Sequence, residues 1–526
     1  MAKVLVAEKV MDVALDLLRS KGIEVDYRPT VSREELLEII GAYDGLIVRS
    51  LPIVDEELLE HATNLRVVGR AGNGVDNIDM DAATKRGIIV LNTPDANSVS
   101  ACELTIGMMI NACRNISVAN NSLKSGQWGR SRFQGVELRG KTLGIIGLGR
   151  IGTLVAQRMA PFGMKLIAYD PYIADGNFAR VNVEKKETLD DLLREADIIT
   201  LHTPKTEETL GMIGERELNL VKPGVRIINC ARGGLVNEEA VCAALKDGRV
   251  AAAAFDVLSK EPCTDSPLYE LENFTVTPHI GATTAEAQES VGLTIVEEVA
   301  AALDGGMVPN AVNLPMISAH DLRSIQPYLA LGEMLGKLYH QIEKPAVERV
   351  QVTYCGTVAG LETEVITLAV LKGLFEPVVK EQVNYVNARL LAESRGVVVS
   401  EGKEAVADNY STLVKVDVFA KGTKFQCAGT IFGTNEPRIV AIEDFRFDIA
   451  PAKYMLLTRH QDKPGVVGHC GLIIASQGVN IDTMQLSHNK QGLAMMAMTV
   501  DSPLDENAMA AISTVAGLEN VYFLRF

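Results

Sequence analysis

No stretch of the chain stays apolar for the roughly 18 residues that a membrane-crossing helix requires, so no membrane span is expected. No CxxC pair and no Cys/His ligand spacing occurs among the eight cysteines, at 102, 113, 230, 242, 263, 355, 427 and 470. No metal is therefore expected, and the thiols read as reduced and mostly buried side chains of a cytoplasmic protein. A basic surplus is missing as well. Lys and Arg number 51 against 67 Asp and Glu, a net charge of −16, which argues against a nucleic-acid partner. An anionic small substrate would need a local basic patch. Short-period repeats and low-complexity tracts are absent. With 47% apolar and 22% charged residues, disorder is excluded over most of the 526-residue chain. The N-terminal MAKVLVAEKVMD breaks its apolar run at Glu8 and carries no cleavage site, so it reads as a first strand rather than a signal peptide. The length suggests three or four domains.

Over residues 1–95, β-branched runs alternate with helical patterns: KVLVAE (3–8), IEVDY (23–27), GLIVRS (45–50), LRVVGR (65–70) and IIVLN (88–92). Ser32 with Glu35 three residues on is a helix-start signal. This rhythm predicts a parallel α/β sheet. Ser98 to Lys124 contains only Gly107 as a breaker and predicts one extended helix. A second α/β series starts at Lys141 and ends with a helix near 284–304, followed by the turn-rich linker Asp304–Asn310. The fold class is thus α/β, with two doubly wound lobes, flavodoxin-like and Rossmann, facing across a cleft. Residues 311–450 predict an α+β unit with two helical stretches and alternating strands such as STLVKVDVFA (411–420). From 451 to 526 the order strand, helix, strand, strand, helix, strand is the βαββαβ unit.

Gly147-Leu-Gly149-Arg-Ile-Gly152 follows a predicted strand and opens a predicted helix. The first Gly permits a tight turn, the second lets the backbone approach a pyrophosphate, and the third allows close helix–strand packing. The helix N-terminus supplies free N–H groups to the phosphates. Asp170 ends the next strand, 18 residues after Gly152. An acidic side chain there accepts from ribose hydroxyls and repels a 2′-phosphate, which favours NAD over NADP.

Arg232, Glu261 and His279 each follow a strand of this second series, where ligands of open α/β sheets bind. Together they fit oxidation of a 2-hydroxy acid. An imidazole takes the hydroxyl proton, a carboxylate beside it stabilises the imidazolium, and a guanidinium holds the substrate carboxylate and polarises the nascent carbonyl. Taken singly, His279 reads as a loop histidine, Glu261 as a turn residue before Pro262, and Arg232 as a helix-end ion-pair partner. Their order behind a dinucleotide loop reverses that weighting.

ARGGLVNEEA (231–240), FDVLSKEP (255–262) and TPHIGATTAEA (277–287), with GLGRIG before them, resemble the D-isomer-specific 2-hydroxyacid dehydrogenases, and RAGNGVDNIDM (70–80) resembles that family's substrate loop. The resemblance covers residues 1–310. It implies that Arg232, Glu261 and His279 are catalytic, that Asp256 contacts the nicotinamide amide, and that Arg150, Ile151, Thr203, Cys230, Ala231, Gly281 and Ala282 complete the cofactor contacts. It further implies a substrate lobe over 1–97, completed by 283–310, and an NAD lobe over 98–282.

Arg49, Arg70 and Arg130, with Arg132 nearby, stand where a phosphate could reach them, and Asn73 and Gly74 lie in a turn that could offer N–H groups to a carboxylate. HQDKPGVVGHCGLIIASQGVNID (460–482) resembles an ACT regulatory domain, and 311–450 resembles the allosteric-substrate-binding domain of the family's long-form branch, which acts on 3-phospho-D-glycerate in serine synthesis. The resemblance therefore implies 3-phosphoglycerate as substrate, L-serine as effector at His460, Asp462 and Asn480, and a homotetramer. This chain carries Asp462 where some relatives carry Asn. Lys421, Lys424, Arg438 and Arg446 read either as a second anion site or as a solvated face. Two other readings stay open from the residues: a dehydrogenase for glyoxylate, hydroxypyruvate or 2-oxoglutarate, and an NAD-sensing binding module.

Overall fold

Short β-branched runs pair into parallel strands when helices cover both sheet faces. In the computed structural model, which describes residues 1–306, 308–315, 319–343, 345–379 and 382–526, the N-terminal runs do this in the order Glu24–Tyr27, Lys3–Val6, Gly45–Val48, Val67–Arg70, Ile89–Leu91. The Ser32 side chain accepts from the Glu35 N–H and caps the helix Arg33–Ile39. The chain returns to this first lobe with the helix Ala285–Leu303. A Cβ on Gly69 would stand 2.6 Å from Val299, which shows how closely helix and strand approach.

The second lobe is a seven-stranded parallel sheet in the order Phe274–Val276, Val250–Phe255, Val225–Asn229, Ile198–Leu201, Thr142–Ile146, Lys165–Tyr169, Glu184–Lys185. The chain reverses its winding between Thr142–Ile146 and Ile198–Leu201, and that switch point opens a crevice at the carboxyl ends of the strands.

Two expectations are corrected here. The predicted helix Ser98–Lys124 is two helices, Ser98–Arg114 and Ile116–Lys124, broken at Asn115 with φ 54°. Asparagine adopts this left-handed conformation more readily than other side chains that carry a Cβ. Asn111 then caps the second helix, accepting from Ser117 N–H at 2.8 Å. The residues just past the linker Asp304–Asn310, read as the start of the third unit, pair with the first sheet instead. Ala311 pairs antiparallel with Leu91, Val312 N–H donates to Val90 O at 2.7 Å, and the Asn313 carboxamide accepts from Val90 N–H and donates to Ile88 O. Residues 310–313 thus extend the first sheet beyond its edge strand.

The third unit is a six-stranded sheet in the order Val398–Glu404, Arg349–Gly356, Thr412–Ala420, Thr423–Phe432, Glu436–Ile442, Phe445–Ile449. Among the described residues, three helices accompany it rather than two: Ala319–Ile342, Glu364–Phe375 and the seven-residue Ala388–Ser394, too short to display a period. The first two cross backbone to backbone, since a Cβ on Gly336 would lie 2.1 Å from Val370 O and one on Gly373 2.1 Å from Glu333 O.

The last unit has four antiparallel strands in the order Ile481–His488, Leu493–Val500, Tyr454–Gln461, Leu518–Arg525, with helices Val466–Ser476 and Glu506–Ser513 on one face. Its other face is not solvated. Met455, Leu457, Met495, Ala497 and Leu524 belong to the core of the third unit. Gln485 and Ser487 accept from Asp448 and Arg446 N–H across the seam. Among the described residues, no helix is long and apolar enough to cross a membrane.

Candidate active site

The strand Thr142–Ile146 delivers the glycine turn to the crevice. Gly147 has φ +89°, and a Cβ there would meet His202 O at 2.7 Å; a Cβ on Gly152 would lie 2.1 Å from Gly147 O. Gly149 is different: a Cβ there meets no atom within 4 Å, so this residue borders open space. The helix Arg150–Met159 starts without a side-chain cap, leaving first-turn N–H groups for an anion. A dinucleotide's pyrophosphate fits this cradle. Asp170 reaches back to the turn, accepting from Leu148 N–H at 2.9 Å and from Tyr172 N–H at 3.0 Å. Arg150 pairs with Asp95 at 2.6 Å beside this turn, and Ile151 follows it in the same helix turn. Thr203, Cys230 and Ala231 lie just past strands Ile198–Leu201 and Val225–Asn229. Burial pushes the Cys230 thiol up to about 12, so it is no nucleophile at neutral pH.

His279 adopts φ 53° on a turn held by a buried carboxylate. Asp256, 1% exposed, accepts from Thr277 Oγ1, from Ile280 N–H at 2.8 Å and from Gly281 N–H at 2.8 Å. Its two oxygens brace the turn 277–281, and Ala282 directly follows it. Glu261 Oε2 lies 2.6 Å from His279 Nδ1, and Glu261 Oε1 accepts from Leu258 N–H at 2.9 Å. Burial pushes the Glu261 carboxyl up. The hydrogen bonds from His279 and Leu258 and the charges of His279 and Arg232 outweigh that and hold it below the usual carboxylate range. With Nδ1–H donated to Glu261, His279 presents Nε2 as its proton-accepting nitrogen. Arg232 is steadied by Ala231 O at 2.8 Å and Asp76 Oδ2 at 3.2 Å. Glu261, His279 and Arg232 therefore converge.

A positive cluster adjoins this trio. Arg70 is partly buried, with its Nε enclosed and unpartnered; burial, with the charges of Arg232 and Arg49, lowers it to about 10. A Cβ on Gly72 would lie 1.7 Å from Arg70 Nη1 and one on Gly74 2.1 Å from Arg232 Nη2, so a side chain at either position of the turn carrying Asn73 would displace those guanidinium ends. The structure thus brings Arg49, Arg70, Arg232, Asn73 and Gly74 together. It does not bring Arg130 to them. Arg130 stands on the exposed turn Arg130–Phe133, in a depression shared with Trp128 and Gln134, and among the described residues no contact joins it to the cluster. Two participants escaped the sequence reading. Asp76 orients Arg232, and Glu8 accepts from Ser50 and Leu51 N–H, anchoring the loop of Arg49. Both were hidden because acidic residues flanking a motif carry no spacing signal of their own.

In the last unit His460 is buried, and burial lowers its pKa. His460 and His488 both face Ala494 in register, so they share one row, and His488 Nε2 pairs with Asp462 at 3.2 Å. The sequence reading missed His488. Asn480 is held elsewhere, its N–H on Asp501 and its carboxamide toward Asp482. Of the four basic residues read as a second anion site, Lys424 pairs with Asp417 and Arg438 with Glu436.

Residues 106–281 match the family model "D-isomer specific 2-hydroxyacid dehydrogenase, NAD binding domain", and residues 324–443 match "D-3-phosphoglycerate dehydrogenase intervening domain". Curated relatives named D-3-phosphoglycerate dehydrogenase include one from Archaeoglobus fulgidus, 41% identical over 98% of each chain. Another from Methanocaldococcus jannaschii is 40% identical over 99% of each, and one from Bacillus subtilis 39% identical over 99% of each. Among solved structures, a Thermus thermophilus protein (34% identity, TM-score 0.55) covers 59% of this chain and 99% of its own. A glyoxylate reductase from Paecilomyes thermophila (30% identity, TM-score 0.56) covers 59% of this chain and 98% of its own.

Proposed function

The chain belongs to the D-3-phosphoglycerate dehydrogenase family of NAD-dependent oxidoreductases, and from that premise we propose that it oxidises 3-phospho-D-glycerate to 3-phosphooxypyruvate in the first step of L-serine biosynthesis. The observation that carries this reading is the 2.6 Å His279–Glu261 pair set beside Arg232 and the unpartnered Arg70. An otherwise acidic chain concentrates guanidinium groups where an acid with two anionic groups would lie.

Arg232 and the backbone of Asn73 and Gly74 would hold the substrate carboxylate, with Arg49 and Arg70 on the phosphate. His279 Nε2 takes the proton of the C2 hydroxyl as that carbon gives up its hydride. Glu261 stabilises the resulting imidazolium, and Arg232 polarises the forming carbonyl. Bound NAD supplies the hydride acceptor at its nicotinamide ring. Gly147, Gly149, Gly152, Arg150, Ile151 and Asp170 would hold its phosphates and adenosine ribose. Asp256, through the turn 277–281, would set the nicotinamide against His279.

NADH formation with a panel of 3-phosphoglycerate, glycerate, lactate and 2-hydroxyglutarate, and NADH consumption with glyoxylate, hydroxypyruvate and 2-oxoglutarate, tests the substrate. Arg49→Ala should raise KM for the phosphorylated acid far more than for an unphosphorylated one. Equal effects, or no turnover of 3-phosphoglycerate, would remove the assignment. The βαββαβ unit is proposed to act as an ACT-type sensor binding L-serine near His460 and Asp462 in a cytoplasmic homotetramer. Inhibition at millimolar serine and the mass in solution by light scattering test those two points.

A further inference from the structure

The turn Gly72-Asn73-Gly74 has little of its own to fix it. Gly72 sits at φ +149°, a conformation open to glycine. Its carbonyls are held from outside instead. Thr93 N–H donates to Gly72 O at 2.9 Å, and Asn92 Nδ2 donates to Asn73 O at 2.7 Å. Both donors directly follow the edge strand Ile89–Leu91.

Asn92 faces two ways. Its side chain holds the turn, while its main-chain N–H donates to Asn310 O at 3.2 Å. Asn310 is pinned in turn, its Nδ2 donating to Glu298 Oε1 at 2.5 Å, and the next residues pair with Leu91 and Val90. This segment is the covalent route into the C-terminal half. A contact from that half itself arrives at the other end of the same strand. The Asn384 carboxamide donates to Gly87 O, and a Cβ on Gly87 would lie 2.7 Å from Asn387 Nδ2. The C-terminal half therefore grips one three-residue strand before its start, the segment leading into that half holds it past its end, and the residue following that strand holds the turn beside Arg70 and Arg232.

We propose that Asn92 is a positioning residue for the substrate, and that the strand Ile89–Leu91 is the element through which the C-terminal half sets the turn 72–74. Asn92 touches no reacting atom; it acts through the Asn73 carbonyl. The inference rests on the reading of that turn as the carboxylate cradle.

The test is steady-state kinetics of the full-length protein with 3-phosphoglycerate and NAD, alongside NADH binding by fluorescence. Losing one hydrogen bond to a partly buried carbonyl in Asn92→Ala should raise KM for 3-phosphoglycerate about ten-fold, with KM for NAD and NADH affinity changed less than about two-fold. Asn310→Ala, far from any reacting atom, should raise the same KM in the same direction. The double variant should be little worse than Asn92→Ala alone, because both residues act along one route. Equal rises in both Michaelis constants, or fully additive effects, would overturn the proposal. Should Asn92→Ala fail to fold, Asn310→Ala and Asn384→Ala decide the matter, and an unchanged KM for 3-phosphoglycerate in both overturns it. A wild-type protein inert toward 3-phosphoglycerate would instead sink the substrate assignment.

Discussion

Glu298 is a carboxyl whose titration bears directly on stability. It lies in the helix Ala285–Leu303, 9% exposed, with Oε1 accepting from Asn310 and Oε2 buried without a partner. Burial raises its pKa from 4.5 to about 7, and the charge of Glu297 adds to that, against the opposing hydrogen bonds from Asn310. The sign follows from proton counting. The unfolded chain sheds this proton near 4.5 and the fold keeps it until about 7, so stability falls as pH rises between those values and levels off above. At 1.36 kcal/mol for each tenfold change in acidity, the ionised fold is costlier by roughly 3 kcal/mol. Glu298→Gln keeps the acceptor for Asn310 and removes the titration. Wild type and variant should melt together near pH 4.5, with a gap opening to roughly 5–10 °C in favour of the variant by pH 8. Thermal melts at intervals across that range measure it. Parallel pH profiles for the two proteins would refute the reasoning.

His279→Gln should lower turnover by about 10²–10⁴ while NADH binding persists; turnover within a few-fold of wild type would remove the imidazole from the proton step. The glycine turn yields a paired expectation. Gly152→Ala, whose Cβ would meet Gly147 O at 2.1 Å, should lower the melting temperature. Gly149→Ala, bordering open space, should melt like wild type but bind NADH more weakly, as titration would show. Asn115→Gly should leave stability unchanged or raise it, and Asn115→Ala should cost about 1 kcal/mol, since only the first keeps an easy left-handed residue at the break.

Much of the catalytic half was legible because its determinants are local. A tight turn needs Gly147, a close approach needs Gly152, and strand ends place Arg232, Glu261 and His279 in one crevice whatever the distant packing. What stayed hidden depends on contacts between remote segments. Residues 311–313 read as the start of the third unit because their place on the first sheet comes from pairing with Leu91, which lies some 220 positions away in the chain. Asn115 interrupts a helix whose apolar pattern continues through it. The sheet of the last unit alternates in a way that fits either a solvated or a covered outer face, and the positions of Phe445–Ile449 and of the helix Ala319–Ile342, whose Gln341 bonds Arg525, decide which. Charge alone groups Arg130 with the other arginines, and nothing local fixes where its exposed turn points.

The seam between the last two units has a practical meaning for anyone shortening this polypeptide. Cutting at residue 450 would strip the cover from Phe447 and Ile449 on one side and from Met455 and Leu524 on the other, leaving two sticky fragments rather than a lighter enzyme. The cleaner scissor point lies just past Asn313, where the chain has already finished sealing the border of the first sheet. A fragment ending there should stay dispersed and turn over substrate without whatever control the discarded half exerts.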